Sequence, residues 1–175
     1  PVEPGDFVYF IVDAVADDPV SGVEVHVYCT FDDSSPGTLD AGQIERIRAC
    51  PGVVLHPPTR EPALALAGAH AAILPSRAGE GVSKFVLEAL ACGRPVLISA
   101  ESGSGEVIEA GVTGLVFPAQ DTAAIRGALV EIGHLGDDDY RRMSTAARTV
   151  AEQRYSLDVI LPRIVELHRR LAGVS

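Results

Sequence analysis

The chain has 175 residues, 47% of them hydrophobic, which is enough for one domain with its own hydrophobic core. Its formal net charge of −10 argues against nucleic acid as the main partner and against anionic lipid, because both require a basic surface. No apolar run approaches the roughly 20 residues that span a bilayer. The three cysteines form no close pair, so we expect a cytoplasmic protein with free thiols, no disulfide framework and no metal site.

Up to residue 69 the predicted elements alternate between helix and strand. Residues 7–16 fit either a strand or a helix, and we choose a helix because the clearly alternating run that follows, 23–29, is a strand. We then predict a helix, a strand, a loop in which Thr59 can act as a cap, and a second helix, at 39–49, 53–55, 56–61 and 61–69.

Residues 71–99 contain one strand–loop–helix–strand unit. Its predicted parts are a buried strand, a polar loop, a helix and a second buried strand, over 71–74, 75–81, 83–91 and 96–99. Gly93 ends the helix, because glycine tolerates the positive φ found at helix carboxyl ends. This arrangement is a βαβ unit, in which the two strands run parallel.

Beyond residue 99 the alternation continues. We predict a helix over 106–110, a strand over 114–117, and a helix that Asp121 caps and that runs to about residue 132. An acidic turn, 137–139, then caps the first of two long helices, 140–154 and 157–171. The whole is an α/β domain over 1–175, a doubly wound parallel sheet with helices on both faces.

The loop before the central helix has the features of a phosphate site. Helix amino ends carry unpaired N–H groups and a partial positive charge, and Gly79 and Gly81 let a ligand approach the backbone. Lys84 is the only lysine of the chain and lies in the first turn, where the helix dipole disfavours a cation. A phosphate partner would explain that position, although a solvated surface lysine is the commoner case.

Two glutamates follow at a spacing of interest. Glu80 and Glu88 are eight positions apart, just over two helical turns, so their carboxylates can lie on one side of the element and accept hydrogen bonds from sugar hydroxyls. Spacing alone favours the alternative of two surface carboxylates on an amphipathic helix. The loops at 56–61, 76–82 and 100–106 all follow strands, so they can converge on one cleft.

These residues resemble a known family. The run EGVSKFVLEALACGRPV, 80–96, resembles the E-x7-E signature of the family-four retaining glycosyltransferases, and SGSGEVIEAGVTGLVFPAQD, 102–121, is similar to their later segment GGxxExIxxGxxGxLVxPxD. The resemblance implies the GT-B fold, in which two Rossmann-like domains face a cleft. This chain would be the Rossmann-like donor-binding half, without the N-terminal acceptor domain.

The resemblance also implies residue roles. Glu80 would contact the donor sugar near the reacting carbon, and Glu88 would bind the ribose hydroxyls. Glu106 and Gly79 would support the loops rather than touch the substrate. The other implied donor contacts are the backbone after Glu80, a cation on the diphosphate and the loop near the base: Gly81, Val82, Ser83, Lys84, His56 and Arg60.

The implied reaction transfers a sugar from a nucleotide diphosphate, for which we expect UDP, to an acceptor hydroxyl with retention of configuration. Negative charge would grow on the leaving diphosphate, where preorganised positive groups stabilise the transition state. No metal motif is evident and no separate cofactor is implied.

The sequence departs from the family in one place. The family has an arginine and a lysine in a loop aimed at the diphosphate, whereas the matching loop here, 1–5, carries Glu3 and no cation, and the strand before it is missing. The loss should weaken donor binding by several kcal/mol, at ~1.5–3 kcal/mol for each charged hydrogen bond. We therefore expect the isolated chain to be inactive, and a non-catalytic scaffold or sugar-nucleotide sensor is the alternative.

A phosphoacceptor receiver domain is a third hypothesis, because it is also doubly wound and acidic. Asp32 and Asp33 follow a predicted strand, as its acidic site would require. Receivers also need a lysine at a strand end, and Lys84 begins a helix, which argues against this hypothesis.

Overall fold

The computed structural model describes residues 22–28, 41–76 and 81–173. Its strands are β1 (Val25–Tyr28), β2 (Val53–His56), β3 (Ala72–Leu74), β4 (Val96–Ser99) and β5 (Gly114–Phe117). Its helices are α1 (Ala41–Ala49), α2 (Pro62–Gly68), α3 (Lys84–Ala91), α4 (Thr122–Gly133), α5 (Asp137–Val150) and α6 (Leu157–Ala172), with a 3-10 turn at Gly105–Val107 and a π-helical turn at Ala151–Tyr155.

Every strand pairing among the described residues is parallel. β1 pairs with β2, and β3, β4 and β5 form a three-stranded sheet in that order. In its register Ile73 lies opposite Leu97, and Ser99 opposite Phe117. Because these strands run the same way, the loops that follow β3 and β4 emerge at the same edge of the sheet.

Strand β4 lies at the centre of the hydrophobic core, and all four of its residues are buried. Leu97 belongs to the cluster on one face, with residues of β1, α1 and α4. Val96 and Ile98 belong to the cluster on the other face, with residues of α3 and α5. Since alternate strand residues point to opposite faces, helices cover both sides of the sheet, as predicted. Each large side chain buried in this way contributes about 1.5–3 kcal/mol.

The central strands approach each other closely at one glycine. A Cβ atom on Gly114 would lie 1.9 Å from the carbonyl oxygen of Val96, so β4 leaves no room for any side chain there. This contact explains a glycine at the start of β5, where strand propensity alone disfavours it.

Two predicted helices have different bounds. The prediction of a helix over 106–110 is wrong. Only a 3-10 turn forms there, and Ala110 makes a parallel bridge with Gly114. The helix expected over 140–154 begins at Asp137, so its aspartates lie inside the first turn, where the dipole favours carboxylates. It ends at Val150 in the π-helical turn.

Other boundaries agree more closely. The strands predicted over 96–99 and 114–117 coincide with β4 and β5. Asp121 is the cap of α4, and its carboxylate accepts from the N–H of Ala124. Thr59 is not the cap of α2, because Glu61, two positions later, occupies that place; Thr59 instead accepts from the N–H of Glu61.

Several predictions lie outside the described residues. They concern the helix over 7–16, the loop over 1–5 with Glu3, Cys29, Asp32, Asp33, Gly79 and Glu80. Within the described part of the chain, every helix is too short or too polar to span a bilayer.

Candidate functional site

The amino end of α3 lies just past the loop that follows β3. Ser83 precedes the helix in an extended conformation, and its side chain makes no capping hydrogen bond. The first helical bond runs from the N–H of Leu87 to the carbonyl of Ser83, so the N–H groups of residues 84–86 have no partner inside the helix. The first turn holds no acidic residue. Within the described part of the chain, this helix end is therefore suited to an anion.

The position of α3 is fixed by its buried face and its carboxyl end. Val86, Ala89 and Leu90 are each 0% exposed, and their spacing places them on one side of the helix. At the other end Gly93 has φ +66, donates to Leu90 and is followed by Arg94, which donates to Ala89. This pair of bonds is a Schellman motif, which confirms the predicted role of Gly93.

Two of the predicted donor-binding side chains meet on α3. Lys84 Nζ lies 3.2 Å from Glu88 Oε1, one helical turn away. The Lys84 side chain is 88% exposed and that of Glu88 31% exposed, so the pair stands at the surface beside the open helix end. Exposed ion pairs of this kind contribute about 0–1 kcal/mol, so either partner can turn to a ligand at little cost.

The backbone before α3 is accessible. Gly81 and Val82 are both exposed, and a Cβ atom on Gly81 would meet nothing within 4 Å. A ligand can thus approach the peptide groups that the sequence analysis assigned to the sugar or the diphosphate.

Two serines of the loop after β4 reach this site, and sequence reasoning missed both. The N–H of Ser83 donates to Ser104 Oγ over 2.7 Å, and Ser76 Oγ donates to Ser102 Oγ over 3.2 Å. Of the three loops predicted to converge, 76–82 and 100–106 therefore meet through their described residues, whereas the approach of 56–61 stays a prediction. The available signal was the run SGSGE after a buried strand, in which Ser102 replaces the first glycine of the resembled motif and Ser104 stands at a variable position.

Glu106 lies beside these serines without joining them. It is exposed and sits in the 3-10 turn that follows Ser104. The loop is instead held by Glu101, whose carboxylate accepts from the N–H of Ala119 over 2.7 Å. The supporting role of Glu106 stays a prediction.

His56 and Arg60 lie after β2, in a separate group of contacts. The ring of His56 stacks on Tyr28 with centroids 4.5 Å apart, and its Nε2 lies 2.8 Å from Nδ1 of His26. His26 in turn contacts Glu24 at 2.8 Å. Arg60 is exposed. These contacts lie on β1, on β2 and on Glu24, which precedes β1. The predicted approach of His56 and Arg60 to a donor base stays a prediction.

Metal ligation finds no support in the described residues, where no three His, Cys, Asp or Glu side chains cluster closely enough to hold an ion. The groups that the start of α3 offers to a ligand are backbone N–H groups, the ammonium group of Lys84 and the carboxylate of Glu88. In parallel α/β domains the carboxyl ends of the strands are the usual place for a ligand, and an uncapped helix amino end there suits an anion.

Comparison with known proteins identifies the family. The model for "Glycosyl transferases group 1" matches residues 8–134, which is well over half of the chain. The chain therefore belongs to the group 1 glycosyltransferases, and the resemblance of its two motifs is confirmed.

Two relatives of this chain are bacterial proteins with the names of glycosyl-transferring enzymes. Over 134 residues it is 30% identical to the putative colanic acid biosynthesis glycosyltransferase WcaL of Salmonella typhimurium, covering 74% of this chain and 32% of that protein. Over 110 residues it is 32% identical to a phosphatidyl-myo-inositol mannosyltransferase of Mycobacterium leprae, covering 63% of this chain and 29% of that protein. The chain spans about a third of the length of the curated relatives it matches.

Solved structures show the same fold. HepE of Anabaena, crystallised in complex with UDP-glucose, aligns with a TM-score of 0.79 at 18% identity, covering 97% of this chain and 46% of that one. Sucrose-phosphate synthase of Thermosynechococcus elongatus aligns with a TM-score of 0.82 at 24% identity, covering 98% and 43%. The fold is that of one Rossmann-like half of a GT-B glycosyltransferase, as predicted.

Proposed function

We propose that this chain is the donor-binding half of a retaining glycosyltransferase. The whole enzyme would transfer a sugar from a nucleotide diphosphate, with UDP as the expected carrier, to an acceptor hydroxyl. A preceding Rossmann-like domain would supply the acceptor site. Family membership and the much greater length of the relatives support this proposal.

The observation that carries the proposal is the open amino end of α3 with the Lys84–Glu88 pair beside it. Amides that the side chain of Ser83 leaves uncapped would hold the diphosphate, and the ammonium group of Lys84 would turn from Glu88 to the same phosphates. Glu88 would then be released to accept from the ribose hydroxyls. The proposed ligand separates the two charges that pair in its absence.

Catalysis would depend on the charge that develops on the leaving diphosphate. The N–H groups at the start of α3 point along the helix axis and cannot reorient, so they would stabilise this charge without a reorganisation cost. Glu80 would act at the sugar, as the family motif implies. No separate cofactor enters the proposed reaction.

UDP is favoured as carrier by the similar structures. HepE is described in complex with UDP-glucose, with UDP, and with UDP and glucose. The alternative is a non-catalytic scaffold or sugar-nucleotide sensor. The sequence over 1–5 favours it, because it carries Glu3 and lacks the two cations that the resemblance implies.

The first test is calorimetric titration of the full chain with UDP, GDP and ADP, together with the variant Gly81→Val. We expect UDP to bind and Gly81→Val to weaken binding at least about tenfold, because a side chain there would occupy the path of the ligand. The fold should tolerate the change, since the space around Gly81 is open.

Gly136→Val is the matched control. Gly136 caps α5 with an extended conformation and has equally open space around it, but it lies at another helix end. Its affinity for UDP should equal that of the unmodified chain. Absence of heat with all three nucleotides in a folded sample would support the scaffold instead, and equal affinity in Gly81→Val would remove this helix end from the site.

A further inference from the structure

Hydrogen bonds from buried serines fix the chain where it leaves β3. The hydroxyl of Ser76 donates to Ser102 Oγ over 3.2 Å, and the hydroxyl of Ser99 donates to the carbonyl of Ser76. These three side chains are 5%, 7% and 0% exposed, in the order Ser76, Ser102 and Ser99. The last described residue before 77–80 is thus tied to the end of β4 and to the loop that follows it.

The chain is fixed again where it enters α3. Ser104 Oγ accepts from the N–H of Ser83 over 2.7 Å and lies 3.4 Å from the carbonyl oxygen of Gly81, to which it can donate. The N–H of Ser104 donates to Ser102 Oγ over 3.2 Å, so the two groups of bonds share one serine. Each hydroxyl donates once at most in this arrangement, so all the bonds can exist together.

The segment that receives these bonds is itself braced. The N–H of Ala100 donates to the carbonyl of Phe117 over 2.8 Å, and the N–H of Gly105 donates to the carbonyl of Ser102 over 2.9 Å. The carboxylate of Glu101 binds the N–H of Ala119. Ser104 is therefore held in a fixed position relative to the sheet.

We propose that Ser104 is a positioning residue for the sugar nucleotide, acting through Ser83 on the direction of the first amides of α3. This inference rests on the proposed function. Ser104 is 1% exposed, so it does not touch the ligand. The packing of α3 on the sheet also does not depend on this hydroxyl, because the buried side chains of Val86, Ala89 and Leu90 anchor the helix in the core. What it sets is the path of Gly81 and Ser83 immediately before the helix.

The test compares two buried hydroxyls in the full chain. Ser104→Ala removes the acceptor of the Ser83 N–H. Thr113→Val removes a hydroxyl that is 0% exposed and accepts from the N–H of Glu109 over 2.9 Å, before β5 and therefore at the opposite edge of the sheet. Both variants should unfold at a lower temperature than the unmodified chain. Only Ser104→Ala should weaken UDP binding, by about tenfold, because only this change removes the hydrogen bond that holds Ser83 before α3.

Each outcome is decisive. If the unmodified chain binds neither UDP, GDP nor ADP, the proposed function fails and this inference fails with it. If the unmodified chain binds UDP and Ser104→Ala binds it equally, the function stands and Ser104 is only a stabilising residue. Should Ser104→Ala not fold, Ser102→Ala takes its place. It acts through the N–H of Ser104 and should weaken UDP binding about threefold, whereas unchanged affinity would overturn the inference.

Discussion

The amino ends of α3 and α4 differ in what occupies their free N–H groups. At α4 the carboxylate of Asp121 accepts from the N–H of Ala124 over 2.9 Å. At α3 the side chain of Ser83 caps nothing, and the first turn carries the cation Lys84. Both helices follow strands of the same parallel sheet, so they begin at the same edge. Position in the fold therefore does not distinguish them, and residue type does.

The difference indicates which helix end is kept for a ligand. A capped amino end gains about 1 kcal/mol for the fold, and an uncapped end gives up that stability unless something else binds there. α5 follows the pattern of α4, since three aspartates lie in its first turn. Helix α2 also lacks a capping hydrogen bond and an acidic first turn, but its cap residue is Glu61. Among α2 to α5, only α3 therefore has no carboxylate at its cap position or in its first turn, which is what an anionic substrate requires.

The strongest way to break the comparison is to make α3 resemble α4 with Ser83→Asp. The new carboxylate would occupy the amides and repel the diphosphate. Two amide–phosphate bonds of about 1.5–3 kcal/mol each would be lost, so UDP should bind at least about 100-fold more weakly. The free energy of unfolding should rise by about 0.5–1 kcal/mol, because the helix gains a cap. Calorimetry and urea unfolding measure the two effects.

Ser83→Asn is the control for charge at this position. Asparagine caps a helix as well as aspartate does but carries no charge. The Ser83→Asn variant should therefore lose less affinity for UDP than Ser83→Asp, for the same gain in stability. A Ser83→Asp variant that binds UDP like the unmodified chain would contradict the assignment of this helix end.

How much of this site was visible in the sequence depends on the range of the contacts. The cap at Asp121 and the stop at Gly93 were predicted correctly, because each depends on residues within one helical turn. The short helix expected over 106–110 did not form, because Ala110 makes a parallel bridge with Gly114 instead. The two residues are only four positions apart, and the residue pattern did not distinguish this bridge from a helical turn.

The serines show the same limit at the site itself. Ser102 and Ser104 are small polar residues in a glycine-bearing loop, which by composition predicts solvent exposure. They are buried because β3, β4 and the start of α3 close around them. The family motif located the loop correctly, but only the packing shows that its hydroxyls hold the helix end.

A smaller effect is expected at the exposed ion pair. Lys84→Met should weaken UDP binding about tenfold through the loss of one charged hydrogen bond of about 1.5 kcal/mol. The free energy of unfolding should change by less than about 0.5 kcal/mol, since the pair with Glu88 is at the surface. Titration calorimetry measures the first quantity and urea unfolding the second.

Arg141→Met provides the matched change at another helix start. Arg141 pairs with Asp138 over 3.0 Å in α5, and its side chain is 73% exposed, against 88% for Lys84. Arg141→Met should leave the affinity for UDP unchanged and should change the stability as little as Lys84→Met does. Equal losses of affinity in the two variants would mean that Lys84 acts only through the net charge of the chain.

The smallest effect is expected at α4, where only stability should respond. Asp121→Ala leaves the N–H of Ala124 without its acceptor and should lower the free energy of unfolding by about 1 kcal/mol, whereas Asp121→Asn should keep most of it. Neither change should alter UDP binding, because the cap faces its own helix. If Asp121→Ala weakened UDP binding as much as Lys84→Met, the two helix ends would share one ligand, and the division between a capped structural end and an open binding end would be lost.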